Sequence, residues 1–125
     1  EEYTDMSNEI KNAAGENEEI LCVSNGYQKK YYLNEHFQKM PEMIKDELKI
    51  MCVLYTEDVG GILELFFDED GNLDFRTSCN ENDFMYDEIG SVLKIKQYQS
   101  ERRELLESVE TYYKIMFLGE GIEED

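Results

Sequence analysis

The sequence predicts an α+β fold: β-hairpin, helix, β-hairpin, helix, with a four-stranded antiparallel sheet and the helices packed on one face. Three observations predict it. Asn25-Gly26 separates two short β-prone runs. Gly60-Gly61 ends an amphipathic stretch that begins at Pro41. Two alternating runs, 62–67 and 73–78, flank the acidic turn Asp68-Glu69-Asp70-Gly71-Asn72.

Residues 1–18 read as a flexible acidic arm. Glu1, Glu2, Asp5, Glu9, Glu16 and Glu18 face a single Lys11, and a short helix over Ser7–Ala14 has few apolar anchors. The domain proper is expected over 19–118, with 119–125 as an acidic tail. Ile20–Val23 is a continuous apolar run, read as a strand. Asn25-Gly26 follows as a two-residue hairpin signal, because both residues tolerate positive φ. Lys29–Leu33 is the return strand; its aromatics suit a pleated surface and its lysines an edge. Asn34 is placed to cap a short turn over Glu35–Lys39.

Pro41 suits the first turn of a helix, where its missing N–H costs nothing. Ile44, Leu48, Met51, Cys52 and Tyr55 share one helical face, and Val53 and Leu54 thicken it, so the second half is expected to be buried nearly all round. The β-branched and aromatic content of Lys49–Thr56 also fits a strand; the helix is the preferred reading. In the second hairpin, Leu63, Leu65, Phe67, Leu73, Phe75 and Thr77 share one face. Glu64, Asp74, Arg76 and Ser78 share the other, which predicts a sheet with one wet face. A second helical region starts at Asn82 or Asp83. Its stripes are Tyr86, Ile89, Val92 and Leu93, then Leu105, Leu106, Val109, Tyr112, Tyr113, Met116 and Phe117. One straight helix to Leu118 would run about 50 Å, so it either bends near Gln97–Ser100 or projects past the core.

A chain of 125 residues fits one domain. The 12 Lys and Arg stand against 30 Asp and Glu, a net charge of −18. Such a chain repels the phosphate backbone of nucleic acid and anionic membrane surfaces. Cys22, Cys52 and Cys79 are odd in number and widely spaced, which points to packed thiols in a reducing cytoplasm. No run approaches the ~18 apolar residues of a membrane span. The opening EEYTDMSNE has no basic or apolar signal region, and the missing initiator Met leaves a removed leader open.

No assembled chemistry is legible, and no cofactor or metal is expected. In an EF-hand register Gly71 falls correctly at position six, but Phe66 and Thr77 occupy positions one and twelve, so the turn reads as a turn. His36 is the sole histidine. It reads as a surface residue, and it leaves nucleophilic catalysis without a ready base. No phosphate-binding glycine motif occurs. Tyrosine pairs apolar area with a hydrogen bond and is favoured at binding surfaces. A candidate partner surface is therefore Tyr27, Tyr31 and Tyr32 on the first hairpin, with Val109, Tyr112, Tyr113 and Met116 on the last helix.

The segments IKDELKIMCVLYTEDVGGILELFFDEDGNLDF (Ile44–Phe75), YDEIGSVLKIKQ (Tyr86–Gln97) and YYKIMFLGEGI (Tyr112–Ile122) resemble a family of small acidic proteins from gut-type anaerobic Gram-positive bacteria, known as a domain of unknown function. The resemblance spans about Ile20–Ile122. It implies a bacterial cytosolic protein and brings no catalytic residue, cofactor or partner.

The function read from these features is a non-catalytic, cytoplasmic protein-binding or accessory module. Two alternatives stand beside it: an acidic mimic of nucleic acid that inhibits a basic protein, and a small-molecule site between sheet and helices. If the C-terminal stripe is wider than one sheet can cover, a homodimer through Leu105–Phe117 is expected.

Overall fold

The computed structural model describes residues 17–119. The expectations for the arm, its Ser7–Ala14 helix and most of the acidic tail lie outside the described residues. The elements run β1 (Glu19–Asn25), β2 (Lys30–Leu33), a 3-10 turn (Glu35–Phe37), α1 (Glu42–Val59), β3 (Ile62–Phe67), β4 (Leu73–Ser78), α2 (Glu88–Glu101) and α3 (Arg103–Met116). The sheet is antiparallel throughout, in the order β2-β1-β3-β4. Each hairpin pairs with the other through its first strand, and α1 makes the crossover between them. The fold is α+β, as the alternation of hairpins and helical segments predicted. Among the described residues, no helix is long and apolar enough to cross a membrane.

The first hairpin differs from its expected turn. Asn25 pairs with Lys30, so Gly26–Lys29 form a four-residue loop. Asn25 Oδ1 accepts from the backbone N–H of Tyr27 (2.9 Å) and Gln28 (3.1 Å). The positive φ falls on Lys29. Gly26 is needed for close approach instead: its N–H donates to Gly61 O at 2.8 Å, and a Cβ would meet that oxygen at 3.0 Å. In the second hairpin Asp68 Oδ1 accepts from the N–H of Asp70 and Asn72, both at 2.9 Å, while Gly71 takes φ +86°. These backbone donors, Asn72 foremost, hold the Asp68 carboxyl below its ordinary pKa.

The main core lies between the sheet and the helices. Leu48, Met51, Cys52 and Tyr55 of α1 are buried on one face, as the spacing predicted. The other face is open: Ile50 and Leu54 are exposed, so the second half of α1 is not buried all round. Pro41 sits at the N-cap, just before the first turn, and Gly60 ends the helix at φ +86°. Leu105, Val109 and Tyr113 of α3 complete the core. Tyr113 stacks on Phe67 with ring centroids 3.9 Å apart and planes within 4°. Glu110 fixes α3 to the edge strand by accepting the Leu73 N–H at 2.7 Å.

The C-terminal helical region breaks at Arg102, where φ −111° and ψ 31° leave the helical range just past the expected bend. Its inward stripe is also different. Ser91 is buried, Ile95 and Tyr98 pack on the core, and the Tyr98 ring meets Tyr55 edge-on at 5.8 Å. Ile89, Val92 and Leu93 point outward and are exposed. Tyr86 precedes the helix.

The outer sheet face is not uniformly wet. Glu64, Asp74, Arg76 and Ser78 do occupy it toward β4. Ile20, Val23, Tyr32 and Phe66 form a second buried cluster on the same face, with Ile62 packed against it.

Candidate functional site

The site is the segment after β4 together with the outward face of α2. Two tyrosines hold the segment. The Tyr27 hydroxyl, on the first hairpin loop, donates to Asp83 Oδ2 and accepts the Asn80 N–H at 3.1 Å. Desolvation first, and then the hydrogen bond to the Asp83 carboxylate, hold that hydroxyl above its ordinary pKa. On the other side the Tyr86 ring fills a notch at Gly61, where a Cβ would come within 2.7 Å of the ring. Asp87 then caps α2, its Oδ1 accepting the Gly90 N–H at 2.9 Å. Such a cap satisfies one of the orphan donors of a helix start.

Between these two attachments lie Phe84 and Met85. They are 89% and 90% exposed. A large apolar side chain gains most by burial, so two adjacent ones fixed in solvent mark a surface rather than a core. Ile89, Val92 and Leu93 continue the exposed apolar stripe along the first two turns of α2. Glu81, Asp83, Asp87 and Glu88 border it, and 80–93 contains no Lys or Arg. The nearest cation in sequence, Lys94, is paired with Asp58 at 3.1 Å.

The candidate surface drawn from sequence is dispersed by the fold. Tyr27 is half-exposed at the attachment just described. Tyr31 is buried in the main core beside Cys22, and Tyr32 lies in the cluster on the opposite sheet face. Val109 is fully buried, Tyr113 is buried against Phe67, and Tyr112 is partly buried. Met116 is exposed at the end of α3. The fold joins Val109 and Tyr113 inside the core and leaves Tyr27 far from them in function. The residues sequence reasoning passed over are Phe84 and Met85, and it placed Ile89, Val92 and Leu93 on the wrong face. A signal was present. Counting back from Val109 and Leu105 at steps of three and four gives Arg102, Tyr98, Ile95 and Ser91, which puts 89, 92 and 93 outside.

Other polar clusters are internally engaged. His36 Nδ1 lies 2.7 Å from Glu19 Oε2, and Asn34 Oδ1 caps its backbone N–H at 3.0 Å. Arg76 pairs with Glu64 at 2.7 Å and Glu18 at 3.2 Å while lying over the Phe66 ring. The Cys22 and Cys52 thiols touch at 3.8 Å in the core. The neighbouring Cys22 and then burial push the Cys52 thiol up. Among the described residues, no three His, Cys, Asp or Glu side chains could hold one metal ion. Phe37, Met51, Tyr55, Phe67 and Tyr113 occupy the space between sheet and helices. Grooves open at the surface, such as one of about 420 Å³ beside the α2–α3 break, lined by Glu47, Arg102, Arg103 and Glu104.

Fold and site together define an α+β domain that displays a fixed, acid-bordered apolar surface. The chain belongs to a family of unknown function (DUF6145), whose model matches residues 18–121. No curated protein and no solved structure matches it in the same comparisons.

Proposed function

We propose that this protein is a non-catalytic binding module that docks a basic protein through Phe84, Met85, Ile89, Val92 and Leu93. The observation that carries the reading is the pair Phe84 and Met85, held in solvent by attachments at Tyr27 and Tyr86. Pre-positioned apolar side chains bind with less entropy lost than mobile ones. Aromatic residues and Met are enriched at interfaces, and small clusters of them dominate binding energy.

The border of Glu81, Asp83, Asp87 and Glu88 gives the partner its sign. Charge of one sign around an apolar centre steers association and rejects like-charged surfaces. A partner segment with Lys or Arg flanking apolar side chains complements this arrangement. The cysteines are free thiols, which suits a reducing, cytoplasmic setting for the complex.

The test is affinity capture of the tagged chain from its own cells, with Phe84→Ser, Met85→Ser and, as a control at another exposed apolar residue, Met43→Ser. One basic protein recovered with wild type and Met43→Ser, and lost with the other two, is the expected result. Its association should weaken as salt rises. Equal recovery with all four chains, or capture that salt leaves unchanged, would refute the proposal.

A further inference from the structure

We infer that Cys22 and Cys52 are a redox pair in the core, which closes to a reversible disulfide when the chain meets a hydroperoxide. Their sulfurs lie 3.8 Å apart, and neither residue is exposed to solvent. A disulfide spans about 2.05 Å, so the two side chains must approach by roughly 1.8 Å between them.

The fold holds the pair in register. Cys22 is on β1 and Cys52 on α1, and the two elements run along one seam in the same direction. One step along it, Ser24 Oγ and Thr56 Oγ1 hydrogen-bond at 2.8 Å. At its end the Gly26 N–H donates to Gly61 O at 2.8 Å. Steps of two on the strand and four on the helix each keep one face, so the matching residues stay opposite one another. Cys22, Ser24 and Gly26 are all small, and strand and helix come close: a Cβ on Gly26 would lie 3.1 Å from Thr56 O. Two thiols packing as small hydrophobes would also fit here. Packing leaves one neighbour unexplained. The Tyr31 hydroxyl is buried beside Cys22 with no hydrogen-bond partner among the described residues. A buried polar group left without a partner is costly; a thiolate at Cys22 would give this one an acceptor.

The chemistry starts at Cys22, because the neighbouring Cys22 sulfur and then burial keep the Cys52 thiol protonated. Neither sulfur touches solvent, so local opening must admit the oxidant, which favours a small neutral hydroperoxide. The Cys22 thiolate attacks one peroxide oxygen, the O–O bond breaks, and a sulfenic acid forms. The Cys52 sulfur then attacks the Cys22 sulfur. Its proton passes to the departing hydroxyl, and water leaves as the S–S bond forms. With hydrogen peroxide, two thiols lose two electrons and two protons and the peroxide becomes two waters.

The experiment treats the folded full chain, carrying Cys79→Ser to remove the third thiol, with hydrogen peroxide. The chain is then alkylated and digested without reduction. A peptide pair joined through Cys22 and Cys52 is expected, and dithiothreitol should separate it. The joined chain should melt roughly 5–15 °C higher than the reduced one. Sulfinic acids without linkage, links only between chains, linkage that forms only in denaturing urea, or an unchanged midpoint would overturn the inference. Tyr31→Phe tests the donor: the pH profile of the linkage rate should move to alkaline pH by about one unit. An unmoved profile overturns the part given to Tyr31.

Discussion

The Tyr86 ring lies against Gly61, so close that a Cβ at position 61 would come within 2.7 Å of Cε1. Gly61 also has φ +73°, and its Cβ would meet Ser78 O at 2.8 Å. Gly61→Ala therefore combines backbone strain with loss of the seat for Tyr86. A cost of about 1–3 kcal/mol in urea unfolding is expected from the strain alone, with the clash adding to it. Amide exchange at 80–87 should rise in the same variant; protection unchanged from wild type would show that Tyr86 does not hold the segment.

Val109 touches no solvent. Val109 lies in the stripe through which the sequence suggested a dimer, but Val109→Glu should unfold the domain rather than alter association. A carboxylate placed there has no partner and costs more than about 3 kcal/mol. Circular dichroism melting decides this: a folded variant with a wild-type midpoint would contradict the packing of α3.

The Phe84 and Met85 side chains contribute nothing to the core, so Phe84→Ser and Met85→Ser should change stability by less than about 0.5 kcal/mol each. Chemical denaturation of both variants checks it. A larger loss would move these residues from a binding surface into the fold.

Backbone donors at Asn72 and Asp70 depress the folded pKa of Asp68. Its contribution to stability is present above the unfolded value, about 3.9. It is lost as pH falls through the lower folded value. Asp68→Asn keeps an acceptor but removes the titration, so the stability gap between wild type and variant should close with acidification over that window. A gap independent of pH would mean that the turn does not depend on the charge.

Burial, and next the adjacent Tyr86, raise the Tyr55 hydroxyl above its ordinary value. The stability linked to it is complete below the unfolded value, about 10, and is lost as pH rises through the raised folded value. The hydroxyl donates to Ser91 O at 3.2 Å, so Tyr55→Phe should cost about 1 kcal/mol at neutral pH. That difference should narrow in alkaline urea titrations; a constant difference would place the alkaline sensitivity elsewhere.

The sequence by itself determined the local grammar of this protein. Helical spacing in Ile44–Tyr55, the Gly60-Gly61 stop and the Asp68–Asn72 turn are each set by neighbours within a few residues, and α1 and the second hairpin formed where those signals lie. Asn34 capped its short turn for the same reason. Tertiary structure alone decided which surfaces meet. On β2, paired with β1, Tyr31 faces the helices and Tyr32 the outer cluster, because successive strand residues face opposite ways, and the helices cover only one of those faces. Packing α2 on α1 through the small Ser91, with Ile95 and Tyr98, turned Ile89, Val92 and Leu93 outward although they are the more apolar set. Hydropathy records how much each side chain gains by leaving water; which side chains get that chance depends on partners far away in the chain. The apolar surface at Phe84 and Met85 is the remainder after that competition, and so it became visible only in three dimensions.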